Sequence, residues 1–127
     1  MSGTVVLIVD DSSVMRKIVE RSLRQAGLNL TRVLEAGSGR EGLQVLEKEQ
    51  VGLIVSDINM PNMDGLEFLH QVQSRSLAQG VPIVMITTES GEEHVREALM
   101  AGAQGYIRKP FTPDQVRERV LPLLVPA

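Results

Sequence analysis

Four short stretches hold the side chains able to do chemistry. Asp10 and Asp11 follow the apolar run Val5–Val9, and Asp57 follows Val51–Val55. Thr87 and Thr88 follow Val81–Ile86, and Lys109 follows the weaker run Gln104–Arg108. If these ends share one edge, the acids repel: a pair at ~4 Å costs about 4 kcal/mol at an effective dielectric near 20. A hard divalent cation relieves that repulsion. Oxygen-only donors suit Mg²⁺, which keeps several waters and takes phosphate partners. Lys109 adds a positive charge and Thr87 a hydroxyl donor, so the set predicts a site for a phosphoryl group carried on a carboxylate.

Each member has a plainer explanation when taken alone. Asp-Asp before Ser-Ser is helix-capping chemistry, a lone Asp after a strand is a turn residue, and Lys-Pro is a surface turn. Thr at a strand end can satisfy its own backbone. The joint order argues otherwise: acidic pair, single acid, hydroxyl and lysine, each at a successive strand end.

The elements that position them are legible from periodicity. Val5–Val9, Val51–Val55 and Val81–Ile86 are near-continuous and rich in β-branched residues, as strands of a parallel sheet covered on both faces are. Arg32–Ala36 and Gln104–Arg108 fit edge strands. Between the runs lie amphipathic segments of helical length. Ser12 or Ser13 caps a helix carrying Val14, Ile18, Val19 and Leu23, and Gly27 is placed to end it. Ser38–Glu41 is a capping box ahead of Leu43 and Leu46. Gly65 precedes a helix with Leu66, Leu69 and Val72. Glu92 and Glu93 favour a helix start, and Gly102 a stop. Thr112–Gln115 combines a cap, a first-turn proline and a capping-box partner before Val116, Val120 and Leu123. Pro122 and Pro126 weaken the last turn. Five strand-then-helix repeats predict a doubly wound α/β domain, in which ligands sit beyond the carboxyl ends of the strands.

Composition narrows the class. The 127 residues are 43% hydrophobic and 23% charged, enough for one domain over 1–127 that folds without disulfides or structural metal. There is no cysteine, which excludes a thiolate metal site and suits a reducing, cytoplasmic setting. A net charge of −3 without a basic run argues against nucleic acid. No apolar stretch reaches the length of a membrane span.

The chain resembles the receiver domains of two-component response regulators, in particular the single-domain chemotaxis (CheY-like) type. The likeness rests on VDDSS at 9–13, SDINMPNMDG at 56–65, MITTES at 85–90 and AGAQGYIRKPF at 101–111, and it spans essentially the whole chain. It implies a five-stranded parallel, flavodoxin-like sheet in the order 2-1-3-4-5. It implies that Asp57 accepts a phosphoryl group from a phosphohistidine on a sensor histidine kinase or histidine phosphotransfer domain. By the same resemblance Asp11 and Asp57 bind Mg²⁺ with the backbone carbonyl of Asn59, and Asp10 assists through water. Lys109, Asn59 and Thr88 contact the phosphoryl group, while Pro61 and Gly65 shape the loop beside it. Thr87 and Tyr106 form a switch that remodels a surface built from Glu92–Leu99, Tyr106–Arg108 and Arg119, where a downstream protein docks. The family usually carries lysine at position 92 and a small aliphatic residue at 108, departures that bear on the partner and leave the phosphorylation site intact.

Further expectations are a monomer, a cis Lys109–Pro110 peptide, and an acceptor rather than an enzyme. Its acyl phosphate should hydrolyse in seconds to minutes, because Asn59 and Glu89 leave water a path. A receiver within a larger regulator, or a phosphorelay intermediate, is the alternative. Two other classes fit less well. An aspartyl phosphatase of the haloacid-dehalogenase type wants Asp-x-Asp where Asp57-Ile58-Asn59 stands. A flavodoxin-type flavin module wants a hydroxyl- and Gly-rich loop where Asp10 and Asp11 stand.

Overall fold

Parallel pairing decides where each strand starts and stops. The computed structural model describes residues 3–60, 63–87 and 92–124, with the backbone but not the side chains at 92–94. Its strands are β1 (Thr4–Val9), β2 (Leu30–Ala36), β3 (Leu53–Asp57), β4 (Ile83–Thr87) and β5 (Gly105–Arg108). The intervening helices are α1 (Ser13–Gln25), α2 (Gly39–Lys48), α3 (Gly65–Ser74), α4 (Glu92–Met100) and α5 (Pro113–Leu124). The sheet order is β2-β1-β3-β4-β5, and all four pairings are parallel. This is the order implied by resemblance, not one deducible from spacing.

Boundaries shift from the apolar runs for local reasons. β4 begins after Pro82, whose ring leaves no N–H to donate to a ladder. β3 runs on to Asp57 because Asp57 pairs with Ile86, and the Ile58 N–H then donates to the Ile86 carbonyl at 2.9 Å. Asp57 is therefore the last strand residue rather than the first turn residue.

Alternation along the strands splits the core in two. Leu7, Val9, Ile54, Ile83 and Met85 face α2, α3 and α4, packing with Leu43, Phe68 and Leu69. Val6, Ile8, Leu53, Val55, Val84 and Ile86 face α1 and α5, packing with Val19, Leu23, Val116 and Val120. Both faces are covered, which is why the central strands read as unbroken apolar runs.

The helix signals act as expected at most termini. Ser12 is the α1 cap, accepting from the Met15 N–H at 3.1 Å, and Gly27 follows the helix at φ +99°, a left-handed conformation that suits glycine. Ser38 caps α2 by accepting from Glu41 N–H. At α5 the box is reciprocal: Gln115 N–H donates to Thr112 Oγ1 at 3.2 Å, and Thr112 N–H to Gln115 Oε1 at 2.9 Å. Pro122 lies inside α5, which runs on to Leu124. Two expectations need correction. Gly65 does not precede α3 but is its first helical residue, after the Asp64 cap. Val14 and Ile18 are 68% and 41% exposed. They lie on the stripe i, i+4 that points away from the buried Val19 and Leu23, roughly 140° around the helix for positions five apart.

Candidate functional site

At the switch point the chain leaves β1 for β2 in one direction and β3 for β4 in the other, opening a crevice beyond their carboxyl ends. Asp10 and Asp11 follow β1 and Asp57 closes β3. One carboxylate oxygen from each lies within 4.8 Å of the others. Asp10 and Asp57 are 2% and 5% exposed, whereas Asp11 is open to solvent. Lys109, just past β5, brings its Nζ to 3.5 Å from Asp57 Oδ2 and 3.7 Å from Asp10 Oδ2. One lysine, paired with two of the three carboxylates, leaves the cluster an excess of negative charge.

Backbone donors fix the two buried acids. The Ser12 N–H donates to Asp10 Oδ1 at 2.9 Å, and the Asn59 N–H to Asp57 Oδ1 at 3.2 Å. Asp10 Oδ2 is buried and has no hydrogen-bond partner among the described residues. Burial pushes the Asp10 carboxyl above its ordinary value, the Ser12 N–H pulls it back, and the Asp57 charge raises it again. A buried oxygen with an ion pair but no hydrogen bond, beside two further carboxylates, is the donor arrangement of an all-oxygen cation site. The donor set fits a hard divalent cation.

The approach of α3 to this crevice demands glycine. Gly65 N–H donates to the Ile58 carbonyl at 2.7 Å. A Cβ at Gly65 would overlap the Asp57 carbonyl oxygen and lie 2.6 Å from the Ile58 Cα and 2.9 Å from Met85 Cε. The glycine thus closes the loop that presents Asp57. On the other side, the Lys109 N–H donates to the Thr87 carbonyl at 2.7 Å, and the Lys109–Pro110 peptide is cis, as expected. Thr87 is buried at the end of β4.

A family profile described as the response regulator receiver domain matches residues 6–121. The chain belongs to that family. The receiver is 44% identical over 115 residues to a chemotaxis protein CheY homolog of Campylobacter jejuni, covering 90% of this chain and 87% of that protein. It is 43% identical over 115 residues to the chemotaxis protein CheY1 of Helicobacter pylori, covering 90% and 91%. The solved structure of Vibrio cholerae CheY4 superposes with a TM-score of 0.83 at 37% identity, covering 98% of this chain and all of that one. The phosphatase and flavin-module readings fall with this membership.

The receiver's acid cluster thus gathers four of the expected residues, Asp10, Asp11, Asp57 and Lys109, with Asn59 and Thr87 at its margin. Thr88, Glu89 and Pro61 lie outside the described residues, as does the side chain of Glu92. Tyr106 sits apart, half-buried on β5. Its ring has the Arg119 guanidinium 5.0 Å from the centroid and that of Arg108 at 5.9 Å. Beside it Val95, Arg96, Leu99, Met100 and Arg108 complete a groove of about 460 Å³.

Sequence reasoning missed Arg16. It shares the inward stripe of α1 with Val19 and Leu23 at i, i+3, i+7, and a charge inside an apolar stripe was the available signal.

Proposed function

We propose that this receiver is a phosphorylation switch. Asp57 accepts a phosphoryl group from a phosphohistidine of a sensor kinase or phosphotransfer domain, in signalling of the chemotaxis type. The single observation that carries the reading is Asp57 at the tip of the central strand, its Oδ2 3.5 Å from Lys109 Nζ, inside the Asp10–Asp11–Asp57 cluster.

The step follows from charge and position. An Asp57 carboxylate oxygen attacks phosphorus as the P–N bond to imidazole breaks. The bond pair leaves with the imidazole nitrogen, which takes a proton. Strand β3 and the Asn59 N–H hold the nucleophile in one orientation, so catalysis is largely positioning and charge neutralisation. Lys109 binds equatorial oxygens of the transferring group, with Asn59 and Thr88 as further contacts. Asp10, Asp11, Asp57 and the Asn59 carbonyl would hold Mg²⁺, which supplies neutralisation of the phosphoryl oxygens.

The protein is an acceptor and not a turnover enzyme toward external substrates. Water attacks the acyl phosphate, releasing inorganic phosphate and restoring the carboxylate in seconds to minutes. Replacing Asn59 with Arg slows that decay by obstructing water. Output runs through Thr87 and Tyr106 to a partner protein on α4, β5 and α5, with the receiver acting as a cytoplasmic monomer.

The test is intact mass after incubation with acetyl phosphate and Mg²⁺. One phosphoryl group should appear in the wild type and none in Asp57→Asn. Equal labelling of the variant sinks the assignment.

A further inference from the structure

The acid pair is held from outside the acid cluster. Arg16 lies on the face of α1 turned to the sheet, its side chain 17% exposed. A guanidinium so far out of water needs partners, and it has two. Nε donates to Glu35 Oε1 at 2.9 Å, and Nη1 donates to the main-chain carbonyl of Asp10 at 2.5 Å. Glu35 belongs to β2 and pairs with Ile8 of β1. Its other oxygen takes the Lys17 ammonium at 2.9 Å.

The consequence for the β1–α1 loop is geometric. The Asp10 N–H donates to the Ala36 carbonyl at 3.0 Å, and its carbonyl is taken by Arg16. The N–H bond fixes the Val9–Asp10 peptide and the bond to Arg16 fixes the Asp10–Asp11 peptide, so both planes flanking the Asp10 Cα are set. The Ser12 N–H then meets Asp10 Oδ1, and the direction in which Asp11 leaves the chain follows.

We propose that Arg16 is a positioning residue: bridging Glu35 of β2 to the Asp10 carbonyl, it sets the orientation of the Asp10 and Asp11 carboxylates toward the divalent cation. This rests on the metal site argued above. Charge alone predicts the opposite sign. A cation removed from the neighbourhood of a cation site should tighten metal binding, whereas a lost strut should weaken it.

The experiment uses the full chain, with Mg²⁺ alone as the probe. Calorimetry gives Mg²⁺ affinity for the wild type, Arg16→Gln, Arg16→Lys and Lys17→Gln. Hydrogen exchange of the Ser12 amide without metal, and urea midpoints, complete the set. Arg16→Gln should weaken Mg²⁺ binding about tenfold, as loss of an outer-shell partner typically does, and speed exchange at Ser12. Arg16→Lys, able to reach one acceptor but not fork between two, should recover part of both. Lys17→Gln, which removes a cation from the same Glu35 but no contact with Asp10, should stay within about twofold of wild type, as expected for an exposed, screened charge. Unchanged or tighter Mg²⁺ binding by folded Arg16→Gln overturns the proposal, whatever its urea midpoint. If the wild type itself binds no Mg²⁺, the metal reading fails separately. The Ser12 exchange then decides for Arg16: faster in Arg16→Gln upholds the strut, unchanged exchange refutes it.

Discussion

The crevice at the strand ends and the face around Tyr106 both set cations against other groups, in opposite ways. In the crevice Lys109 is largely buried and faces two carboxylates that are more buried still. Around Tyr106, Arg108 and Arg119 are exposed and lie over a ring, while Leu99 and Met100 stand 44% and 83% exposed. Buried charges interact strongly and must be held in place, because an unmatched one is costly. Exposed cations beside apolar side chains are screened and free to repack. The first arrangement suits chemistry on one group, the second suits recognition of a surface.

The largest expected effect breaks that contrast if it fails. Lys109→Met removes the cation nearest Asp57, and phosphorylation by acetyl phosphate should slow by about 100-fold or more, as loss of a group that stabilises transition-state charge does. Arg119→Ala should leave the same rate within about twofold, as expected for a screened surface charge. Comparable slowing in both variants, followed by mass spectrometry, would erase the distinction.

A backbone prediction comes next. Gly65→Ala pushes a methyl group into the Asp57 carbonyl and Ile58 Cα. Stability should fall by about 2–3 kcal/mol, the upper range for overpacking, measured by urea unfolding. A loss under ~1 kcal/mol would mean that the loop gives way easily, and that its closeness to Asp57 is not enforced.

Electrostatics in the crevice gives a smaller effect of unusual sign. Asp10→Asn should stabilise the metal-free protein by about 1–2 kcal/mol, the scale of a relieved like-charge pair in a partly screened site, and saturating Mg²⁺ should remove that gain. The wild type should show the matching pH dependence. The Asp10 carboxyl, raised above 3.8 chiefly by burial, binds its proton more firmly when folded than when unfolded. Metal-free stability should therefore fall as pH rises through the interval from 3.8 to its folded value, and Asp10→Asn should flatten that slope. Glu35 has the opposite sign. Lowered from 4.5 chiefly by the Lys17 hydrogen bond, its contribution is present above 4.5 and lost as pH falls through its folded value. Thermal melts from acid to neutral pH resolve the two. A stability that rises with pH through the Asp10 interval, and does so equally in Asp10→Asn, would refute the assignment.

The smallest effect sharpens the other region. Arg108→Ala and Arg119→Ala should each cost only about 0.5–1 kcal/mol, the range of an exposed cation–π contact. Tyr106 is the only tyrosine and there is no tryptophan, so its emission reports the ring directly. It should change in both variants and stay near wild type in Lys109→Met. An unaltered signal in Arg119→Ala would show that the guanidinium lies over the ring without holding it.

Strand-and-helix alternation, most helix caps and the four chemical stretches were open to sequence reading. They depend on contacts within a few residues or on a period of two or 3.6 that burial imposes. Ser12, Ser38 and Thr112 cap where their spacing says they should, since a cap is satisfied inside its own turn. The order β2-β1-β3-β4-β5 came from resemblance alone, because periodicity says that a strand is covered and not which neighbour it pairs with. Partners distant in the chain were hidden as well. Arg16 reaches Glu35 across 19 positions, and the Tyr106 ring meets the Arg119 guanidinium of α5, pairings that no local period links. The outward turn of Val14 and Ile18 was likewise settled by α1 packing on Val19 and Leu23. Local chemistry is written residue by residue, whereas the meeting of a charge with its partner depends on how the sheet orders its strands.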